Sequence, residues 1–210
     1  MRLYQAPRLV LAELDRLIAR RRRLVGVLQV LPPLSSSEGF LSPAEQQAEQ
    51  QGCSASLRAL RQDLAAIEKA IKALIAADTA LAHRYERITS VPGVGLVTAV
   101  EILLTTNEFQ DRADPKHYAS YVGVVPFERS SGQYKGRPRV STQANKQVKT
   151  LLHLAALTAV RFSSALKAYY DRKVAEGKNK LLVRNKLVHL IFACVQQDRN
   201  YDKNYAPALV

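Results

Sequence analysis

Two adjacent serines in a strongly basic stretch are the residues whose types and spacing suggest chemistry. Ser130 and Ser131 precede Gly132, and the segment from Arg129 to Lys149 holds six basic residues and no acidic one. Such a segment attracts phosphates, and a Ser-Ser-Gly turn within it would bring a hydroxyl close to a backbone phosphorus. From composition alone, a plain turn is the open alternative. The basic residues are Arg129, Lys135, Arg137, Arg139, Lys146 and Lys149.

A Pro-Gly-x-Gly turn joins two helical patterns. The apolar periodicity stops at Ser90, and it resumes over Leu96–Thr106 after Pro92, Gly93 and Gly95. Glycines adopt backbone conformations closed to other residues and leave amide donors at the start of the next helix, where the helix dipole favours an anion such as a DNA phosphate. The turn resembles the helix-hairpin-helix element of sequence-nonspecific DNA binders, and an ordinary interhelical turn is the alternative.

The balance of charge and hydropathy limits the class of protein. The 210 residues include 31 Lys and Arg against 18 Asp and Glu, and 47% are apolar, which excludes an acidic, collagen-like or disordered chain. Residues 91–210 carry 18 basic and 9 acidic side chains, whereas residues 1–90 carry 13 and 9, so the second half is the expected polyanion-binding surface. No apolar run is long enough to cross a bilayer, and Cys53 and Cys194 form no Cys-x-x-Cys pair. We therefore expect a cytoplasmic protein without membrane contact, disulfide bond or structural zinc.

The first part of the chain carries two heptad-like apolar stripes, and Arg21 interrupts the first of them. Ser42, Pro43 and Glu45 form a capping-box start for the second helix. We predict an antiparallel coiled-coil hairpin over residues 1–87, within one chain or shared in a homo-oligomer, that serves spacing and oligomerisation. The stripes are Val10, Leu14, Leu17, Leu24, Leu28 and Leu31, then Leu57, Leu60, Leu64, Ile67, Ile71 and Leu74.

Residues 88–210 predict a compact helical domain, so the expected fold class is all-α. The helical period disappears over 124–140, which predicts an irregular basic loop. His153 and His189 lie on separate apolar helices without a partner at metal-ligand spacing, so no metal site is predicted. The expected helices are Leu96–Thr106, a short helix from Pro115 with Asp114 as cap, 143–161 with Ser141 or Thr142 as cap, 165–176 and 180–197.

Several short motifs, taken in order, resemble those of the insertion sequence 110/116/902 transposases. Each motif is weak alone, but the ordered set is specific and spans essentially the whole chain, and the heptad hairpin is also similar to theirs. The motifs are Ile88 to Ala99, Tyr121 to Pro126, Ser130 to Gly132, Lys135 to Arg137, Ala144 to Lys146, Leu151 to His153 and Glu176 to Lys180.

The resemblance implies a DNA recombinase that works through a serine. The nucleophile of the family corresponds to the serine before Gly132, which is Ser131, with Ser130 as the adjacent alternative. Its hydroxyl would attack the scissile phosphorus in line, and the resulting phosphoserine link would keep the phosphodiester for rejoining, so no nucleoside triphosphate is needed. The side chains expected to supply positive charge are Arg129, Lys135, Arg137 and Arg139.

The resemblance also implies further parts and partners. Members of the family have an N-terminal RuvC-like domain with four acidic metal ligands, and in characterised relatives a bridge RNA guides the choice of target and donor. The chain begins at the coiled-coil region, so we expect it to lack that domain, to hold no cofactor itself and to depend on Mg²⁺ bound there, in another subunit. The expected function is the C-terminal portion of a DNA transposase that acts on element ends and target DNA near the bacterial nucleoid. The alternative is a catalytically inactive remnant that binds DNA or RNA.

Overall fold

A computed structural model describes residues 7–31, 42–125, 127–131, 134–178 and 182–203. Helices dominate these residues, which confirms the all-α class, and a two-stranded antiparallel ribbon interrupts them. Among the helices described, none is long and apolar enough to span a membrane. The elements are α1 Leu9–Val30, α2 Pro43–Ala77, α3 Thr79–Thr89, α4 Leu96–Thr106, α5 Pro115–Tyr121, β1 Phe127–Ser131, β2 Tyr134–Arg139, α6 Lys146–Phe162, α7 Ser164–Ala175 and α8 Val183–Gln196.

Residues Pro7–Asp78 form one compact unit, in which α1 and α2 pack against each other. The two helices are antiparallel, because Arg8 before α1 contacts Asp78 after α2 at 2.6 Å, and Arg21 further along α1 contacts Glu68 at 2.8 Å. The buried side chains that hold the pair together are Leu11, Leu14, Ile18, Ile67, Ile71 and Ile75. The coiled-coil description and the oligomerisation role remain predictions.

The packing seam of α1 differs from the predicted stripe. Leu11 and Ile18 are buried, whereas Val10 and Leu17 of the predicted stripe are half-buried. Both sets recur at helical spacing, so the sequence alone does not decide which of them faces the partner helix. Arg21 lies at the edge of the seam with its charge paired to Glu68, which explains why the apolar stripe is interrupted there.

Local chemistry sets the start of α2 as predicted. The Ser42 hydroxyl accepts a hydrogen bond from the backbone N–H of Glu45, and the Glu45 carboxylate accepts one from the backbone N–H of Ser42 at 2.7 Å. The Ser42 hydroxyl also donates to this carboxylate at 2.7 Å, and this bond together with the one from the Ser42 N–H holds the pKa of Glu45 below its ordinary value. The capping box is therefore confirmed.

From Thr79 onward, the described residues form a second compact unit of helices α3 to α8 and the ribbon. Helix α8 packs against α3, α5 and α6, and α6 also packs against α4 and α7. The largest fully buried side chains of this unit are Tyr118, Phe192, Leu81, Ile88, Ile102, Leu103, Leu152, Leu187 and Ile191. Helix α6 is thus in contact with three other helices of the unit.

Two helix starts in this unit test the predicted caps. Asp114 caps α5 as predicted, because its carboxylate accepts hydrogen bonds from the N–H groups of Lys116 and His117, each at 3.2 Å. The prediction for α6 was wrong: the helix begins at Lys146, and Asn145 caps it by accepting from the Val148 N–H at 3.1 Å. The predicted start of the last helix at 180 lies outside the described residues, and α8 is described from Val183.

Candidate nucleic-acid interface and serine ribbon

The segment predicted as an irregular loop contains an antiparallel ribbon, β1 and β2, which we call the serine ribbon. Ser130 pairs with Lys135 and Ser131 with Tyr134, and an irregularity lies between Phe127 and Arg129. The expectation of an irregular loop was wrong because the two strands are defined by backbone pairing, which leaves no apolar period in the sequence.

The register separates the two candidate serines. Ser131 is the last residue of β1, next to the two-residue connection that leads to Tyr134, whereas Ser130 is one position further from that tip. The side chains of the predicted site residues Arg129, Ser130, Ser131, Lys135, Arg137 and Arg139, together with Gly132, lie outside the described part of the structure.

The other end of the serine ribbon is closed by tight packing. Gly123 has φ +69°, and a Cβ built on it would lie 2.5 Å from the Ala144 Cβ and 2.8 Å from a Val140 methyl carbon. A glycine is therefore required where the chain leaves α5 and enters the ribbon segment. Lys149 lies beside this point on the first turns of α6, and Lys146 is exposed at the first position of the same helix.

Asn145 and Tyr121 join the two ends of the ribbon segment. The backbone N–H of Asn145 donates to the Tyr121 carbonyl at 3.1 Å, and its side-chain Nδ2 donates to the Tyr121 hydroxyl at 3.1 Å. The Arg112 guanidinium lies 4.0 Å from the centre of the Tyr121 ring. The sequence identifies Asn145 only as part of the motif Ala144 to Lys146, because a hydrogen bond to a residue 24 positions away leaves no sequence signal.

The Pro-Gly-x-Gly turn lies between α3 and α4 as predicted, but its two glycines have different environments. Gly93 has φ +84°, and a Cβ on it would collide with the Ala155 carbonyl oxygen and lie 2.9 Å from the Ala159 backbone N on α6. Gly95 is exposed, has an extended backbone with φ −100°, and has open space where a Cβ would lie. The close approach to α6 therefore explains why residue 93 is a glycine. Nothing in the packing requires a glycine at position 95.

The N-terminus of α4 begins at this turn. Gly95 is the N-cap residue and has no side chain that could accept from the first amide groups of the helix. These amide groups have no intrahelical acceptor, and they carry the positive end of the helix dipole. Pro92, three residues before Gly95 in the same turn, is half-buried. The geometry can accept an anion at the first turn of α4.

Both predicted DNA-contacting elements pack on the same helix. The base of the serine ribbon lies at the start of α6 near Lys149, and Gly93 packs on α6 at Ala155 and Ala159. With a rise of about 1.5 Å per residue, Lys149 and Ala159 are about 15 Å apart along the helix axis. Helix α6 thus connects the glycine turn to the serine ribbon.

Polar contacts tie α4 to this helix and α5 to α4. The buried Glu101 of α4 accepts a hydrogen bond from the Gln147 amide of α6. The Tyr118 hydroxyl of α5 lies 2.8 Å from the Thr105 hydroxyl of α4. Burial raises the pKa of Tyr118 far above its ordinary value, so this phenol stays neutral at physiological pH.

The two histidines considered for metal binding line separate cavities. His189 lines a cavity of about 410 Å³ together with Asn185 and Cys194, and His153 lines one of about 260 Å³. Burial lowers the pKa of His189 below its ordinary value, with Lys186 and Lys116 acting in the same direction. In the part of the chain that the structure describes, no group of three or more His, Cys, Asp or Glu side chains could hold a metal ion.

Comparison with known families assigns the class of this region. Residues 85–171 match the family described as Transposase IS116/IS110/IS902 family. The matched region begins within α3, includes the glycine turn, the serine ribbon and α6, and ends within α7. The part of the chain that carries the candidate site is therefore similar to a transposase domain.

Individual relatives agree with this class. The chain is 30% identical over 152 residues to the insertion element IS110 uncharacterized 43.6 kDa protein of Streptomyces coelicolor. The aligned region covers 70% of this chain and 36% of that protein. It is 32% identical over 98 residues to the insertion element IS900 uncharacterized 42 kDa protein of Mycobacterium paratuberculosis, with 46% of this chain and 25% of that protein aligned. It is 26% identical over 130 residues to the pilin gene-inverting protein of Moraxella bovis, with 59% of this chain and 40% of that protein aligned. The matches to these relatives span from 25% to 40% of their length.

Proposed function

We propose that this chain is the part of a DNA transposase or recombinase that binds DNA and attacks a phosphodiester through Ser131. The observation that carries the proposal is the ribbon register inside the transposase-like region, with Ser131 at the tip end of β1. A hydroxyl at the tip of a ribbon can approach a DNA backbone without moving the helical core. Ser130, paired with Lys135 one position further from the tip, is the alternative nucleophile.

The proposed step is a transesterification. The serine oxygen forms a bond to phosphorus while the bond from phosphorus to one sugar oxygen breaks, the serine proton passes to solvent, and the departing sugar oxygen takes up a proton. The basic residues of the ribbon would stabilise the charge that develops on the phosphoryl oxygens. The described residues offer no metal cluster, so no step is assigned to Mg²⁺ held by them. Mg²⁺ bound elsewhere, a guide RNA and a homo-oligomer remain predictions.

DNA binding is proposed for two surfaces that pack on α6. One is the exposed Lys146 with Lys149 beside the ribbon base, and the other is the open N-terminus of α4 at Gly95. Lysines and helix N-termini are both common phosphate ligands. If five or six phosphates are neutralised, the logarithm of the affinity should fall against the logarithm of the salt concentration with a slope of about −5.

A covalent adduct tests the proposal. The full chain is mixed with element-end DNA in which sulfur replaces the bridging oxygen of the scissile phosphate, because a thiolate leaves without help from an acid or a metal ion. We expect an adduct that resists denaturant in the wild type and in Ser130→Ala, and no adduct in Ser131→Ala with unchanged folding and DNA affinity. Salt-dependent binding without any adduct would support the inactive DNA- or RNA-binding remnant, and an adduct that persists in Ser131→Ala would refute the assignment of the nucleophile.

A further inference from the structure

Asn145 uses three polar groups at the junction between the serine ribbon and α6. Its backbone N–H and its Nδ2 both donate to Tyr121, and its Oδ1 accepts from the Val148 N–H in the first turn of α6. Tyr121 is the last residue of α5, at the opposite end of the ribbon segment. A single asparagine therefore caps α6 and also joins the two ends of the segment that carries Ser130 and Ser131.

Tyr121 is itself held in position from α4. The Arg112 guanidinium stacks over its ring and donates to the Thr105 carbonyl of α4 at 2.5 Å. The phenol hydroxyl is therefore presented to Asn145 by a side chain that cannot rotate freely. The close contact of Gly123 with Val140 and Ala144 leaves little room for the base to shift.

We propose that Asn145 and Tyr121 form a clamp that sets the position of the serine ribbon, and that Asn145 is a positioning residue for the serine chemistry. An isolated two-stranded ribbon is marginally stable in water, so its position depends on the contacts at its base. A displacement of about 1 Å at a reacting atom can cost about a hundredfold in rate. The chemical half of this proposal rests on the proposed function, whereas the clamp itself does not.

Three substitutions separate the clamp from the helix cap. Tyr121→Phe removes the hydroxyl that accepts from Asn145 but keeps the ring under Arg112 and leaves the cap on Val148 intact. Asn145→Ser keeps a cap acceptor and loses the reach to Tyr121. The matched control is Tyr118→Phe, which removes a phenol hydroxyl from the same helix, bonded to Thr105 in the core and not to the ribbon base.

The first measurement is hydrogen–deuterium exchange of the amides of β1 and β2 in the full chain. We expect faster exchange of the ribbon in Tyr121→Phe and Asn145→Ser, with α8 unchanged, and no change of the ribbon in Tyr118→Phe. Ribbon exchange equal to that of the wild type in both clamp variants would overturn the clamp. This readout does not require any reaction with DNA.

The second measurement is the rate of adduct formation at saturating sulfur-bridged DNA. We expect the rate to fall by about tenfold in both clamp variants, with DNA affinity and melting temperature close to those of the control. Faster ribbon exchange with an unchanged adduct rate would overturn the positioning role. A wild type that forms no adduct would refute the proposed serine chemistry, and the exchange result alone would then decide whether the clamp exists.

Discussion

The close approach of the glycine turn to α6 gives a prediction whose size can be worked from the structure. In Gly93→Ala, the new methyl would meet the backbone of Ala155 and Ala159, which cannot move unless α6 moves, and the residue would keep φ +84°. Left-handed backbone costs a non-glycine residue about 1–2 kcal/mol, and overpacking against a rigid neighbour costs about 1–3 kcal/mol. We therefore expect a loss of about 2–5 kcal/mol in the free energy of unfolding of this unit.

Thermal and denaturant unfolding followed by circular dichroism measure this loss, which corresponds to a drop in melting temperature of roughly 8–20 °C, at about 4 °C per kcal/mol. The matched control is Gly95→Ala, two residues away, where the backbone is extended and a Cβ meets open space. Because Gly95 is the N-cap of α4 and alanine is a poorer N-cap than glycine, we expect the control to lose about 1 kcal/mol or less. Equal stability of the two variants, whether both are wild-type-like or both destabilised, would refute the packing explanation of Gly93.

Two further predictions concern charged side chains. Arg21→Met removes the ion pair with Glu68, whose atoms are partly exposed, so the helical hairpin should lose at most about 1 kcal/mol, and less at high salt; a salt-independent loss in thermal unfolding would contradict this. Burial lowers the pKa of His189 from 6.5, and Asp114 opposes the shift. As the pH drops below about 6.5, the unfolded chain takes up a proton before the folded chain does, so the free energy of unfolding should fall. Denaturant titrations at several pH values should show a smaller fall in His189→Gln, and parallel curves for the two proteins would refute this reading.

The parts of the fold that short-range chemistry determines could be predicted from the sequence. The capping box of Ser42 and Glu45 and the Asp114 cap before Pro115 are both present. Each depends on side-chain and backbone groups within three residues of one another, so no knowledge of the rest of the fold is needed. The turn between α3 and α4 was found for the same reason.

The serine ribbon could not be predicted because its strands have no alternating apolar pattern. Strand β1 reads Phe-Glu-Arg-Ser-Ser and strand β2 reads Tyr-Lys-Gly-Arg-Pro-Arg. Because apolar and polar residues do not alternate in either strand, the sequence does not indicate a face that packs on a core. Proline and glycine within the strand also argue against a strand. Pairing of the two backbones, which composition does not reveal, determines this element.

The start of α6 and the clamp depend on tertiary contacts. Three residues near the start of α6 are of types that cap helices: Ser141, Thr142 and Asn145. Of these, Asn145 is the one that caps α6, and it is also hydrogen-bonded to Tyr121. The seam of α1 is a similar case, because the partner helix selects Leu11 and Ile18 from two equally apolar stripes. In both cases the sequence offers several equivalent choices, and a distant residue decides between them.

Mass spectrometry of the modified peptide tests most directly whether a ribbon serine reacts with DNA. Trypsin cleaves after Arg129 and Lys135, so both serines fall in one short peptide, Ser-Ser-Gly-Gln-Tyr-Lys. After nuclease digestion of the isolated adduct, we expect a nucleotide mass on this peptide, with fragment ions that assign it to Ser131. A nucleotide on Tyr134, or on any peptide outside the serine ribbon, would contradict the account.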